Sequence, residues 1–391
     1  MFKKILLGCV ALSLAGCALK QKSSTSFDQL IAEGEKEKTK TAVILPLSGD
    51  SAALGDAFRN AILMAQLERG TDEVTEVDFY DSKGTKEGAK EAFLSAERKG
   101  ADIVLGPVFS KSVEGVKEMD PDIPVISFTS DTSVLGDGVY SMALLIEEQI
   151  KRITKFACER GEFRFALLGP NDKTGAMVLK SFETNIQNCP GMQLSHISLY
   201  DAKNPDLTAA VAKIAPPLLD LKNKNLTQEE KLLAQNPTAE RIEFDALFIF
   251  EQGVKLQQLI SLLGYYDVTS NLVPFYGLAT LRGQASRDLV GAYFADLPQA
   301  HLNIFKQNYK DAFAVLPVSV SALGYDAISL VSYLSQKGRL NERSLLSEEG
   351  YAGVNGRFRF NEDGTNDRLL EMFQIRGKKR IIKVAPTESM F

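Results

Sequence analysis

Histidine and tryptophan are almost missing from this chain. Its 391 residues include two histidines, His196 and His301, and no tryptophan. A His-rich metal centre is excluded, and a His-based catalytic triad has only two positions to draw on. Cysteine is scarce as well: Cys9, Cys17, Cys158 and Cys189 are the whole set. Four are too few for a disulfide scaffold, and none stands in the CxxC spacing of a zinc site. No G-x-S-x-G, P-loop or HExxH motif occurs, so the common nucleophile, phosphate and metalloprotease signatures are absent. There is no basic excess: 45 Lys and Arg face 50 Asp and Glu, a net charge of −5. That balance argues against a nucleic-acid partner. Beyond the first twenty residues no apolar run reaches the ~20 needed to span a bilayer as a helix. These absences predict a protein that is not an enzyme and uses no cofactor and no metal.

What is present begins with an address. Met1-Phe2-Lys3-Lys4 is a short basic segment, Ile5 to Leu14 is apolar, and Leu14-Ala15-Gly16-Cys17 closes it. The apolar stretch is too short for a permanent span and fits a secretory signal. The small residues before Cys17 resemble the lipobox of bacterial lipoproteins. The resemblance implies removal of residues 1–16, lipidation of Cys17 and anchoring to a membrane by acyl chains, a stable attachment. Ala18 after the cysteine resembles the sorting pattern of outer-membrane lipoproteins of Gram-negative bacteria. Residues 17–40 are rich in Lys, Ser, Thr and Glu and read as a flexible tether. In an oxidising periplasm Cys158 and Cys189 are a candidate disulfide. Two separate buried thiols are the alternative.

Hydrophobic residues make up 45% of the chain, enough for a sizeable core, and the length suggests two or three domains at ~100–200 residues each. The body alternates short apolar runs with amphipathic segments. Thr41–Leu47, Val77–Tyr80, Asp102–Gly106 and Pro124–Phe128 read as strands, with helices over 54–68 and 85–99 between them. The pattern restarts with a helix over 144–159 and strands Phe163–Leu168, Met192–Tyr200, Asp245–Phe250 and Val273–Tyr276. Further helices are expected over 301–314 and 322–335, and late strands near 353–360, 370–375 and 380–384. Alternation of this kind predicts an α/β fold with mostly parallel sheets flanked by helices. Such sheets bind ligands at the carboxyl ends of their strands.

The layout resembles the type I periplasmic-binding-protein fold, in its leucine/isoleucine/valine-binding branch. Four motifs carry the resemblance: Ile44-Leu-Pro-Leu-Ser-Gly49 followed by Gly55, Gly106-Pro107 followed by Ser110, Pro124-Val-Ile-Ser127, and Tyr351-Ala-Gly-Val-Asn-Gly356 with Phe360 and Asp363-Gly364. It implies two lobes joined by three crossovers. We expect one lobe from 41–142 plus 298–336 and another from 143–297 plus 337–385. It also implies an inter-lobe cleft for a small polar ligand, lined by Ser48, Ser110, Ser127 and Thr129 on one side and Thr174, Glu251 and Tyr276 on the other. Short hydroxyls and free N–H groups at helix starts are suited to a carboxylate. They are equally suited to capping helices. Two departures stand out. Thr174-Gly175 replaces the branch's Tyr-Gly, and no acid follows Tyr276 to meet a ligand ammonium.

The segment 215–244 is longer than a strand-to-helix link needs. It resembles the elaborated crossover of the lipoproteins called penicillin-binding-protein activators. That resemblance implies a regulator of a peptidoglycan synthase, with a penicillin-binding protein as partner. The binding-protein resemblance alone implies the alternative, a receptor for amino-acid transport by an ABC transporter.

Overall fold

A computed structural model describes residues 38–215, 227–228 and 242–391. The predicted signal peptide (1–16), Cys17 as the expected lipidation site and all but the end of the tether lie outside the described residues, as does most of the 215–244 segment.

The first sheet is built from the apolar runs at the start of the body. Strands β1 (Thr39–Leu45), β2 (Thr75–Asp81), β3 (Ile103–Leu105), β4 (Val125–Ser127) and β5 (Val139–Ser141) pair in the order 2-1-3-4-5, all parallel. The inner strands β1, β3 and β4 are apolar and buried at successive positions, so both faces need cover. On one face Ala42, Ile44 and Val104 meet α2 (Lys86–Arg98) and α3 (Ser110–Lys117) through Phe93, Val113 and Val116. On the other, Val43, Leu45, Leu105 and Ile126 meet Phe58 and Ile62 of α1 (Ala52–Arg69). Phe58 stacks on Phe128 with ring centroids 4.6 Å apart. Gly55 lets the first turn of α1 close onto the strand end, because a Cβ there would strike the Pro46 carbonyl.

The chain then leaves for a second sheet. Helix α4 (Ile146–Glu159) leads into β6 (Arg164–Asn171), α5 (Lys173–Asn185), β7 (Gln193–Asp201), α6 (Leu207–Ala212), β8 (Ala246–Ile249), α7 (Gly253–Tyr265), β9 (Phe275–Gly277) and β10 (Tyr293–Asp296). These strands lie parallel in the order 7-6-8-9-10. Cys158, at the end of α4, is joined by a disulfide to Cys189, beyond α5.

Helices α8 (Gln299–Phe313) and α9 (Ala322–Gln336) return to the first sheet, where Phe305, Tyr309, Leu323 and Ile328 complete the core around Phe58. The short α10 (Glu342–Leu345) and an antiparallel trio, β11 (Tyr351–Gly353), β12 (Gly356–Phe360) and β13 (Asn366–Arg368), follow. Only then does the chain cross back: β14 (Glu371–Gly377) adds antiparallel to β10, and β15 (Arg380–Ala385) antiparallel to β14.

This corrects the expected assignment of 337–369 to the second lobe, while 371–385 join the second sheet as expected. Leu345, Phe358 and Phe360 are buried in the first core. The buried Asp326 carboxylate of α9 accepts hydrogen bonds from Val354 N (2.7 Å), Asn355 N (3.0 Å) and Asn355 Nδ2 (2.8 Å). The third passage therefore lies near 369 rather than 336. A hydrophobic hairpin with a buried acid as its anchor has nowhere else to go.

The passages are stitched to one another. Asn366 Nδ2 donates to the carbonyls of Ser141 and Ala143, both at 2.9 Å. Arg368 donates through Nη2 to Met142 O, and its backbone N–H reaches Glu148 of α4 at 2.9 Å. Burial lowers the Arg368 pKa to about 10 although Asp326 and Glu148 pull the other way.

Candidate ligand cleft and the contact across it

Strand order reverses beside β1 in the first sheet and beside β6 in the second. The loops at those carboxyl ends form the candidate site. After β1, the Asp81 carboxylate organises the turn by accepting from Leu47 N (2.8 Å), Ser48 N (3.3 Å) and Lys83 N (2.7 Å). Burial pushes the Asp81 carboxyl up, but these hydrogen bonds outweigh it and hold its pKa below the ordinary value. Ser48 stands exposed at this turn. Ser110 opens α3, half-buried.

The remaining expected residues are mostly committed elsewhere. Ser127 is fully buried, and its hydroxyl donates to Tyr140 O at 2.9 Å, tying β4 to β5. Thr129 is also buried; its Oγ1 accepts from Asp131 N at 3.2 Å, closing its own turn. Tyr276 lies in the second core, stacked on Tyr293, with its hydroxyl given to Glu162. Ser127 and Tyr276 are thus internal structural residues and do not line a cleft. Ser127 ends β4 and Tyr276 sits inside β9, and both side chains are taken up by internal hydrogen bonds.

On the second lobe, Asp172 caps α5 by accepting from Gly175 N at 3.0 Å. Gly175 is required there because a Cβ would strike the Pro170 carbonyl. Thr174 sits half-buried in this first turn. Glu251, after β8, accepts from the Tyr200 hydroxyl and from Gln252 N at 2.9 Å. Burial first, and then the Glu251 carboxylate, push the Tyr200 phenol above its usual range.

The two loop systems meet through residues that the sequence reading did not select. Lys173, the first residue of α5, donates through Nζ to Asp131 Oδ2 at 2.5 Å and to Ser133 Oγ at 2.9 Å. Asp131 follows β4 in the first lobe and also accepts from Ser133 N at 3.1 Å. Burial raises the Asp131 pKa, but the hydrogen bonds from Lys173 and Ser133 prevail and leave it below the usual carboxylate value. Beside this contact, Thr132 Oγ1 reaches Glu147 of α4 at 3.4 Å. The loops that follow β4 and β6 are therefore bridged by a cation and an acid. The clue available in the sequence was local: Lys173 directly precedes the Thr174-Gly175 departure, and Asp131 lies two residues past Thr129. Among the described residues no group of three His, Cys, Asp or Glu is placed to hold a metal ion.

The model of one protein family, described as LppC putative lipoprotein, matches residues 22–342. The chain belongs to this LppC family. No curated protein matches the chain. The C-domain of LpoA from Haemophilus influenzae, described as a regulator of PBP1A, superposes with a TM-score of 0.63 at 16% identity, covering 88% of this chain and all of that one. A leucine-binding protein, LivK, from Thermotoga maritima gives 0.59 at 16%, covering 90% and 99%. A branched-chain amino acid ABC transporter protein from Rhodospirillum rubrum gives 0.69 at 16%, covering 89% and 100%. At these identities the shared property is the fold, that of type I periplasmic binding proteins.

Proposed function

We propose that this chain is a lipid-anchored periplasmic regulator that activates a peptidoglycan synthase by direct contact. Its anchor is Cys17, and retention in the outer membrane follows from Ala18. Membership in a lipoprotein family supports the anchor. The likeness to a whole domain of a PBP1A regulator supports the partner class.

The observation that carries this reading is the Lys173–Asp131–Ser133 contact. A receptor for amino acids must keep its facing loops free for the ligand and supply an acid for the ammonium. Here the facing loops hold each other, and Asp131 is already paired with a lysine. A ligand ammonium seeking that acid would have to compete for it with the Lys173 ammonium and the Ser133 hydroxyl. The transport-receptor reading rests on the fold alone, which hosts many functions.

The test is reconstitution. The lipidated chain is added to a bifunctional synthase in detergent or liposomes, and glycan polymerisation and peptide cross-linking are followed. Saturable binding with a raised rate is expected. No binding and no rate change, together with a melting-temperature rise on adding leucine, isoleucine or valine, would replace the regulator by the receptor.

A further inference from the structure

An opening separate from the cleft loops lies on the first lobe. The outer side of α9 and the segment from Arg339 to Gly353 enclose a cavity of about 800 Å³. None of the cleft-loop residues discussed above lines it. Its size falls within the ~300–1,000 Å³ of small-molecule sites.

The lining has an unusual charge. Arg69, from the end of α1, faces Lys337, Arg339 and Arg343, from the end of α9 and the turn after it. None of these four forms an ion pair among the described residues. Two carboxylates share the lining. Asp326 is buried, and its oxygens are taken by Val354 and Asn355. Glu349 is exposed. Four cations thus meet one available acid, in a chain whose net charge is −5. Like charges gathered in one lining repel one another; Arg69 is tied to Glu68 only through the Tyr325 hydroxyl.

Two of the four cations are held by neighbouring rings. Arg69 Nε donates to the Tyr325 hydroxyl at 3.0 Å, and its guanidinium lies 5.1 Å from that ring. Lys337 lies 6.0 Å from the Tyr333 ring. Tyr333, 51% exposed, stands edge-on to Tyr351 with centroids 6.4 Å apart. Tyr351 is in turn fixed through its hydroxyl to Ser344 O. The wall between the cations is therefore aromatic and held in place. Guanidinium forks match carboxylate or phosphate oxygens in pairs. A tyrosine face packs against a sugar or aliphatic stem.

We infer that this cavity is a binding site for a small polyanion bearing at least two carboxylate or phosphate groups. One group is held from the Arg69 side and another by Arg339 and Arg343, with the ligand's less polar part against Tyr333.

Calorimetric titration of the full chain at low salt tests this with three probes: citrate, a tri-glutamate peptide and pyrophosphate. Binding of the first two alone identifies a carboxylate ligand; binding of pyrophosphate alone identifies a phosphate ligand. An R339S/R343S double variant, altered only at exposed side chains, should bind the preferred probe at least about tenfold more weakly, since each lost charge-assisted contact is worth that much. A control at another exposed lysine, Lys180→Ser, should leave binding unchanged. The inference is overturned if no probe binds at millimolar concentration, if the double variant binds as tightly as the parent, or if the control weakens binding equally.

Discussion

Removing the amino group at position 173 should loosen the two lobes by an amount that can be worked out. At 2.5 Å two unit charges attract by ~1.7 kcal/mol in bulk water and ~7 kcal/mol at an effective dielectric of 20. The Lys173 side chain is 60% exposed, which places the pair near the weaker limit once solvent screening and side-chain ordering are included; such pairs measure ~0.2–1 kcal/mol. The hydrogen bond to Ser133 adds on the order of 0.5 kcal/mol. Lys173→Ala should therefore cost about 1 kcal/mol of closure, a ~5-fold change in the ratio of closed to open molecules. Distance distributions between spin labels at Lys111→Cys and Glu183→Cys, one on each lobe, would report it. The variant should gain a longer-distance population. The wild type should gain the same population in acid. Asp131 has a lowered pKa, so its contribution is fully present above the ordinary carboxylate value of 3.8 and is lost as the pH falls below it. Superimposable distributions for variant and parent at neutral pH would show that the contact holds nothing together, and the argument against a receptor cleft would lose its main support.

Two further outcomes follow from the packing. Replacing both Cys158 and Cys189 by serine removes a cross-link spanning 31 residues and should destabilise by ~3.7 kcal/mol on the chain-entropy relation, roughly 5 °C in melting temperature for a chain of this length; an unchanged calorimetric transition would refute it. Asp326→Ala leaves two backbone N–H groups and the Asn355 amide without their acceptor and should cost about 3–5 kcal/mol, with faster amide exchange over 351–360. Unaltered protection there would mean that Asp326 does not anchor the hairpin.

The sheets were legible because their strands are apolar on both faces, as at Val43–Leu45 and Leu167–Leu168, and are separated by helices of clear period. β5 and β10 were missed because three or four residues carry too little pattern, and α3 because its apolar stripe is only Val113 and Val116. The third passage was misplaced for a different reason. The end of α9 looks like a domain boundary, while the residue that keeps the next segment on the first lobe, Asp326, reads in sequence as one more surface acid. The candidate site fared similarly. Hydroxyl-bearing residues at strand ends could be named, but whether Ser127 or Tyr276 points into a cleft depends on one residue of register. The pairing of Lys173 with Asp131, 42 residues apart, is a tertiary fact: the sequence marks the neighbourhood of each residue but not their partnership.

The order in which the chain returns to its first lobe bears on how it is made. A polypeptide threaded from its N-terminus delivers β1 to β5 first, yet Phe58 and Ile62 wait for Phe305, Leu323 and Phe358 to cover them. The second lobe waits as well, since β10 has no partner on one side until β14 emerges. Neither half can bury its centre while the last hundred residues are still to come. Contacts of such long sequence separation form slowly. A chain that has to pass through a narrow channel before it folds gains from that delay: the architecture itself keeps the early segments from closing too soon, and a sequence change that let 39–141 collapse alone would be expected to jam export rather than improve the protein.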